Sequence, residues 1–188
     1  MQRTPRLFAI PLVLAGVACW GAEPCESGLK PGRRPGPYSA LVSVGAERGQ
    51  AHCFICETAD RPAVIVFART LSEPLGKLAR RLDKALVDHK SAELRAWVTF
   101  LSDDQTALDP KVVEWSKKQS LRNVPLAVFE DVVGPPSYLL HRDADVTVLL
   151  SVKQKVVRSF AFRAGELNNE RIAEILKVVP EITKTAKK

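Results

Sequence analysis

Basic and aromatic residues do not cluster together in this sequence. Aromatic residues make up 6% of the 188 residues, and the two basic clusters, Arg33-Arg34 and residues 184–188, contain none of them. Single-stranded nucleic acid is typically bound by a basic groove with aromatic side chains on which the bases stack. Elsewhere charges of both signs are interspersed, as is typical of solvated helix faces. We therefore expect no nucleic-acid partner.

Cysteine is scarce, with four residues in the whole chain. Two of them form the CxxC sequence Cys53-Phe54-Ile55-Cys56, but the CxxCH order of a covalent haem site is absent, because His52 precedes the pair instead of following it. We expect no cofactor.

The N-terminal apolar run, residues 7–17, is too short to span a membrane as a helix. Arg3 and Arg6 precede it and small residues follow it, which is the order found in secretory signal peptides. We interpret residues 1–22 as a leader and expect an exported protein, either periplasmic or extracellular. The sequence Gly16-Val17-Ala18-Cys19 also resembles a lipoprotein box. A lipid anchor on Cys19 is therefore an alternative, and it is the one membrane attachment that we expect.

Composition divides the rest of the chain into three parts. Residues 23–39 are rich in proline, glycine and charge, which is typical of a linker. Residues 40–182 contain the regular patterns of a single folded domain, and residues 183–188 form a basic tail.

Strand and helix patterns alternate in that domain. Continuous apolar runs predict strands over residues 62–68, 94–101 and 124–130, and a hairpin over 145–152 and 155–162. Helices are predicted to begin at Ser72, at Asp109-Pro110 and at Asn168 or Asn169. This order indicates an α/β fold with a mixed sheet and a C-terminal antiparallel hairpin.

The strand-to-helix junction that contains Ser72-Glu73-Pro74-Leu75 resembles the active-site junction of the thioredoxin superfamily. Aligned on the shared proline, Ser72 and Leu75 stand where that family has its two redox cysteines. Val146 and Thr147 stand where the family has a cis-proline followed by threonine, and we expect Val146 to follow a trans peptide bond. The resemblance implies a thioredoxin-like three-layer sandwich that has lost its usual dithiol.

The additional strand at 124–129 is similar to the one inserted in the peroxiredoxin and thiol-peroxidase-like (redoxin) branch. That branch activates peroxide with a threonine and a cysteine three residues later. Thr70 is present, but Glu73 occupies the place of the cysteine. Ser72 would be a nucleophile only with a base beside it, which sequence does not provide, so we expect it to cap the helix.

The pair Cys53 and Cys56 is open to three interpretations. It is a structural disulfide or two buried thiols, a displaced redox pair, or a metal site completed by His52 or Cys25. The pair precedes the first core strand, does not lie at a predicted helix start, and is followed directly by Glu57. We therefore expect it to be redox-inert.

Together these patterns predict an exported thioredoxin-fold protein with a non-catalytic binding or structural role, in which another envelope protein is the expected partner. The alternatives are a thiol-disulfide oxidoreductase that uses Cys53 and Cys56, and a metal-binding protein that uses the same pair with His52 or Cys25.

Overall fold

The computed structural model describes residues 23–186, so the predicted leader and Cys19 lie outside the described residues. The seven strands are β1 (Ala40–Val44), β2 (Ala51–His52), β3 (Ala63–Ala68), β4 (Arg95–Ser102), β5 (Leu126–Glu130), β6 (Val146–Val152) and β7 (Lys155–Phe162). The α-helices are α1 (Phe54–Thr58), α2 (Glu73–Asp88), α3 (Gln105–Lys118) and α4 (Asn169–Ala186), and 3₁₀ helices cover Lys90–Ala92 and Pro136–Tyr138. None of the helices in residues 23–186 has the length and apolar character needed to cross a membrane.

The strands form one mixed sheet in the order β2-β1-β5-β4-β3-β6-β7. Strands β3, β4 and β5 are parallel, and β6 and β7 form the antiparallel C-terminal hairpin. The α/β class, the mixed sheet and the hairpin are therefore as predicted. The sequence patterns did not predict β1 and β2, which form a short antiparallel pair at the other edge.

Strand β3 lies inside the sheet, because β4 pairs with it on one side and β6 on the other. All six of its residues are buried. Val64 and Val66 contact the core on one face, whereas Ile65 and Phe67 contact the core on the other. Burial on both faces explains why the segment reads as a continuous apolar run instead of an alternating one.

Helices cover one face of the sheet. Helix α2 buries Leu75, Leu78 and Leu82 against it, and α4 packs beside α2. Helix α3 begins at Gln105 and not at Asp109-Pro110 as predicted, because the Asp104 side chain caps it by accepting from the Ala107 N–H at 2.9 Å. Pro110 then falls inside the helix, where its missing N–H removes one helical hydrogen bond.

Irregular chain and α1 cover much of the opposite face. Residues 23–38, called the strap below, were expected to be a linker, but they pack on the sheet with Leu29 only 2% exposed. Gly28 permits this close approach: it has φ +87°, and a Cβ there would lie 2.8 Å from Thr147 Cγ2. Residues 183–186 of the predicted tail are also part of the fold, because α4 continues to Ala186 and buries Thr183.

A buried aromatic cluster holds the C-terminal end of the strap. The Tyr38 hydroxyl accepts from Trp97 Nε1 at 2.8 Å and lies 2.8 Å from the Thr99 hydroxyl. Tyr138 packs edge-on against Tyr38 and donates to the Gly36 carbonyl at 2.9 Å. The strap is therefore bound to β4 and to the 3₁₀ helix Pro136–Tyr138 by hydrogen bonds that are shielded from water.

Candidate functional site

The junction between β3 and α2 contains structural groups in the places of the two family cysteines. Ser72 is the N-cap residue of α2, as predicted, and its hydroxyl accepts from the Leu75 N–H at 3.3 Å. Within residues 23–186, no histidine hydrogen-bonds to Ser72. Leu75 is fully buried in the core beneath the helix. The junction therefore holds no group suited to thiol or serine chemistry.

Glu73, in the place of the peroxide-activating cysteine, is part of a polar cluster on the surface of α2. Its carboxylate accepts from Gln119 Nε2 at 3.1 Å and from an Arg80 guanidinium nitrogen at 3.1 Å. Hydrogen bonds from Gln119 and Arg80 lower the pKa of Glu73. This residue links α2 to the end of α3 as a carboxylate and offers no nucleophile for peroxide.

The backbone beside the junction is occupied by internal hydrogen bonds. The Asp145 carbonyl accepts from the Arg69 N–H at 2.9 Å, and the Ala144 carbonyl accepts from Arg69 Nε at 2.9 Å. Val146 is buried opposite Ala68, and residues 23–186 contain no cis peptide bond. The Thr147 hydroxyl lies 2.7 Å from the Ser27 hydroxyl. The backbone and side chains around Val146 are thus engaged in hydrogen bonds within this chain.

Cys53 and Cys56 form a disulfide with a Cα–Cα distance of 5.4 Å. Contrary to expectation, the pair does lie at a helix start: Cys53 is the N-cap residue of α1, and the Cys56 N–H donates to the Cys53 carbonyl at 3.1 Å. The sequence pattern missed α1 because a helix of five residues is too short to show helical periodicity. One premise of the predicted redox inertness is therefore wrong.

The disulfide and the junction lie at opposite ends of β3. Helix α1 precedes the first residue of β3, whereas Ser72 follows its last. Phe54 of α1 lines a small cavity together with Arg95 and Pro125, which lie at the amino ends of β4 and β5. A strand of six residues is about 20 Å long. The disulfide is thus displaced by about that distance from the place of the family dithiol.

Packing and hydrogen bonds contact α1 in addition to the disulfide. Phe54 stacks on Trp97 with a ring separation of 5.6 Å, and the Phe54 carbonyl accepts from the Thr58 hydroxyl at 2.9 Å. His52 packs edge-on against Phe54 at 4.6 Å, and its Nε2 lies 3.5 Å from a Glu57 carboxylate oxygen. These contacts fix both ends of the helix that carries the disulfide.

The two cysteines of the pair differ in their surroundings. Cys53 is half-buried, whereas Cys56 is exposed. Cys56 also lines a surface cavity of about 380 Å³ between α1 and the strap, whose other walls include Ile55, Ala59, Arg34, Pro35 and Pro37. Arg34 belongs to the presumed linker, so no sequence pattern placed it beside the disulfide.

Cys25, the remaining described cysteine, is a free thiol on the strap. It lines a separate cavity of about 570 Å³ that also contacts Ser159 and Ala161 of β7. Burial raises the pKa of Cys25. In residues 23–186, no group of three or more His, Cys, Asp and Glu side chains has the arrangement of a metal site. In the disulfide form neither Cys53 nor Cys56 is a thiolate ligand.

No protein-family model matches this sequence, and no curated protein matches it either. Solved structures do match. The thioredoxin domain of a thiol-disulfide oxidoreductase from Bacteroides vulgatus superposes with a TM-score of 0.58 at 14% identity, covering 80% of this chain and 99% of that one. A secreted thiol-disulfide isomerase from Corynebacterium glutamicum gives 0.57 at 11% identity, with coverages of 81% and 86%. A peroxidoxin from Mycobacterium tuberculosis gives 0.54 at 12% identity, with coverages of 80% and 98%. At these identities the likeness shows a thioredoxin-like redoxin fold.

Proposed function

We propose that this protein is an exported thiol-disulfide oxidoreductase whose exchanging pair is Cys53 and Cys56, and whose partner is another polypeptide of the cell envelope. The observation that carries the proposal is the exposure of Cys56 within a disulfide on a surface helix. Thiol-disulfide exchange requires an accessible sulfur together with a second sulfur within bonding geometry. Cys56 is an exposed residue and its sulfur is bonded to that of Cys53, whereas the family junction contains no cysteine.

The structural contribution of this disulfide is at the low end for a disulfide. It closes a loop that spans only residues 53–56, and loop-closure entropy for so short a loop amounts to about 2 kcal/mol. Helix α1 is already held by Phe54 against Trp97 and by the Thr58 hydroxyl. A disulfide at the low end of the usual stabilisation, with one of its two cysteines exposed, is suited to exchange.

The proposed reaction is a two-electron exchange. A thiolate of the partner attacks one sulfur of the disulfide, the Cys53–Cys56 bond breaks, and its electron pair leaves on the other sulfur. The partner's second thiolate then attacks the mixed disulfide and releases the remaining protein thiolate. The partner dithiol is oxidised to a disulfide, while Cys53 and Cys56 are reduced and take up the two protons.

Export supports this chemistry, because disulfides persist in the periplasm and outside the cell. The order of Arg3, Arg6 and the apolar run at 7–17 supports export, and a lipid anchor on Cys19 is the variant that would keep the protein at a membrane. Some structural neighbours carry similar descriptions, such as the secreted isomerase from Corynebacterium glutamicum.

A non-catalytic binding or structural role is the second candidate. It is favoured by the junction between β3 and α2. There Leu75 is buried, and Arg69 donates hydrogen bonds to the carbonyls of Ala144 and Asp145. In that case the disulfide is incidental to function, and the protein acts through its surface alone.

A reductase assay separates the two candidates. The mature protein is incubated with a peptide disulfide and a limiting dithiol as electron donor, in a Cys25→Ser background that removes the third thiol. We expect turnover well above the dithiol alone, and we expect Cys53→Ser with Cys56→Ser to abolish it. Turnover equal to the dithiol control, in a protein shown to be folded by circular dichroism, would establish the non-catalytic role instead.

A further inference from the structure

We infer that Cys56, and not Cys53, is the sulfur that forms the mixed disulfide, and that the partner segment binds in the cavity between α1 and the strap. The inference rests on the proposed function and adds to it an attacking residue, a docking surface and a partner chemistry. The partner is an extended polypeptide segment that carries a cysteine next to acidic residues.

Access distinguishes the two sulfurs. Which sulfur of a disulfide is attacked depends on the approach path of the incoming thiolate. Cys56 is exposed, whereas Cys53 is half-buried as the residue that joins β2 to α1. Of the two cysteines, Cys56 is the one that lines the cavity of about 380 Å³. An incoming segment that fills this cavity therefore meets Cys56 first.

The cavity walls define the chemistry of the occupant. Pro35, Pro37, Ile55 and Ala59 provide an apolar lining. Gln154 adds an amide that is hydrogen-bonded to the Asp60 carboxylate, and Arg34 is the one cation among the lining residues. The Arg34 side chain is exposed and has no hydrogen-bond or ion-pair partner within residues 23–186. An unpaired guanidinium beside an apolar surface favours a partner with a carboxylate close to an apolar residue.

The exchange then has a defined direction. The partner thiolate attacks Sγ of Cys56, the bond between the two protein sulfurs breaks, and the electron pair leaves on Sγ of Cys53. The second thiolate of the partner then attacks the partner's sulfur in the mixed disulfide, and Cys56 leaves as a thiolate. In the reverse direction the Cys56 thiolate attacks a partner disulfide, and Cys53 resolves the product.

Single-cysteine variants test this assignment. Cys25→Ser with Cys53→Ser leaves Cys56 free, and Cys25→Ser with Cys56→Ser leaves Cys53 free. Each is reduced and mixed with a disulfide-linked dimer of an acidic, cysteine-containing peptide, and mass spectrometry follows formation of the mixed disulfide. We expect the variant with free Cys56 to react about tenfold faster. A basic peptide of the same length is expected to react with it about threefold more slowly than the acidic peptide.

Arg34→Ala tests the docking surface, and Arg33→Ala is its matched control. Both residues are exposed and adjacent in sequence, but Arg33 lines the cavity that contains Cys25 instead. We expect Arg34→Ala to remove the preference for the acidic peptide and Arg33→Ala to retain it. Equal loss of the preference in both variants would overturn the docking surface.

Two outcomes would separate this inference from the proposed function. If Cys53 reacts faster than Cys56 while the intact pair still turns over, the inference is wrong and the oxidoreductase proposal stands. If neither cysteine reacts faster than a free peptide thiol and the intact pair shows no turnover, the proposed function itself is wrong.

Discussion

The hydroxyls of Ser27 and Thr147 lie 2.7 Å apart in the folded protein, across a sequence separation of 120 residues. The Ser27 hydroxyl also accepts from the His141 N–H at 2.9 Å. Thr147 is 2% exposed and Ser27 is half-buried, so this hydrogen bond is partly shielded from water. The strap is therefore hydrogen-bonded to β6 at the position that follows the family proline, and it covers the sheet face there.

We expect Ser27→Ala to loosen the strap. The substitution leaves the buried Thr147 hydroxyl without this partner, and an unsatisfied buried hydroxyl costs about 1–3 kcal/mol. Unfolding in urea measures the loss, and limited proteolysis within residues 23–38 detects the local opening. Thr147→Val in the Ser27→Ala background is expected to recover part of the stability, since both polar partners are then gone. Additive losses in the double variant would show that the two hydroxyls do not interact.

Tyr38→Phe is expected to destabilise the fold by about 1–3 kcal/mol, because the buried Trp97 Nε1–H and Thr99 hydroxyl lose their shared partner. Burial raises the pKa of Tyr38 to about 12, although hydrogen bonds with Thr99 and Trp97 act in the opposite direction. A raised folded pKa means that this stability is present below the unfolded tyrosine pKa of about 10 and is lost as pH rises through the folded value. Urea unfolding between pH 8 and pH 11, followed by tryptophan fluorescence, should show a steeper alkaline loss in the wild type than in Tyr38→Phe.

Asp83 connects α2 to the turn before β5. Its carboxylate accepts from the backbone N–H groups of Arg122, Asn123 and Val124 at 2.6–3.0 Å. Burial alone would raise the pKa of Asp83, but these N–H groups outweigh it and hold the pKa below its ordinary value. The stabilisation is therefore present above the unfolded aspartate pKa of about 3.9 and is lost as pH falls through the folded value.

We expect Asp83→Asn to cost about 1–3 kcal/mol at pH 7. The cost should shrink as pH falls below the unfolded aspartate pKa of about 3.9, because the unfolded wild type then binds a proton that the folded carboxylate still resists. Thermal unfolding at pH 7 and pH 3 measures it. Asp88→Asn is the matched control on the same helix, because within residues 23–186 the Asp88 carboxylate pairs only with Lys84 at the surface. It should change stability by less than about 0.5 kcal/mol. A cost for Asp83→Asn that does not depend on pH would contradict the role of its charge.

At the junction, Ser72→Ala is expected to cost about 1 kcal/mol through loss of the helix cap, and Ser72→Asp, which retains a capping oxygen, should cost far less. Neither substitution should alter turnover in the reductase assay, because the exchanging sulfurs lie at the other end of β3. Leu75→Ala is expected to cost about 2–5 kcal/mol, since Leu75 is fully buried. A loss of turnover in Ser72→Asp at unchanged stability would show that the junction is catalytic after all.

The sequence by itself determined the order of elements from β3 to α4 and the absence of thiols at Ser72 and Leu75. Strand β3 was identifiable because burial on both faces requires a continuous apolar run, and the start of α2 was identifiable because capping is local. Both features depend on residues that are close in sequence, so the sequence pattern is enough to identify them.

Only the tertiary structure decided what the strap and the CxxC segment do. The strap has the composition of a linker, yet Leu29 and Tyr38 are buried on the sheet face opposite α2, α3 and α4. Helix α1 is too short to show helical periodicity in its sequence. It is stabilised by the packing of Phe54 against Trp97 of β4. Arg34 reaches the cavity beside Cys56 only because the strap returns across the sheet. These features depend on contacts between distant segments, which local composition and periodicity do not record.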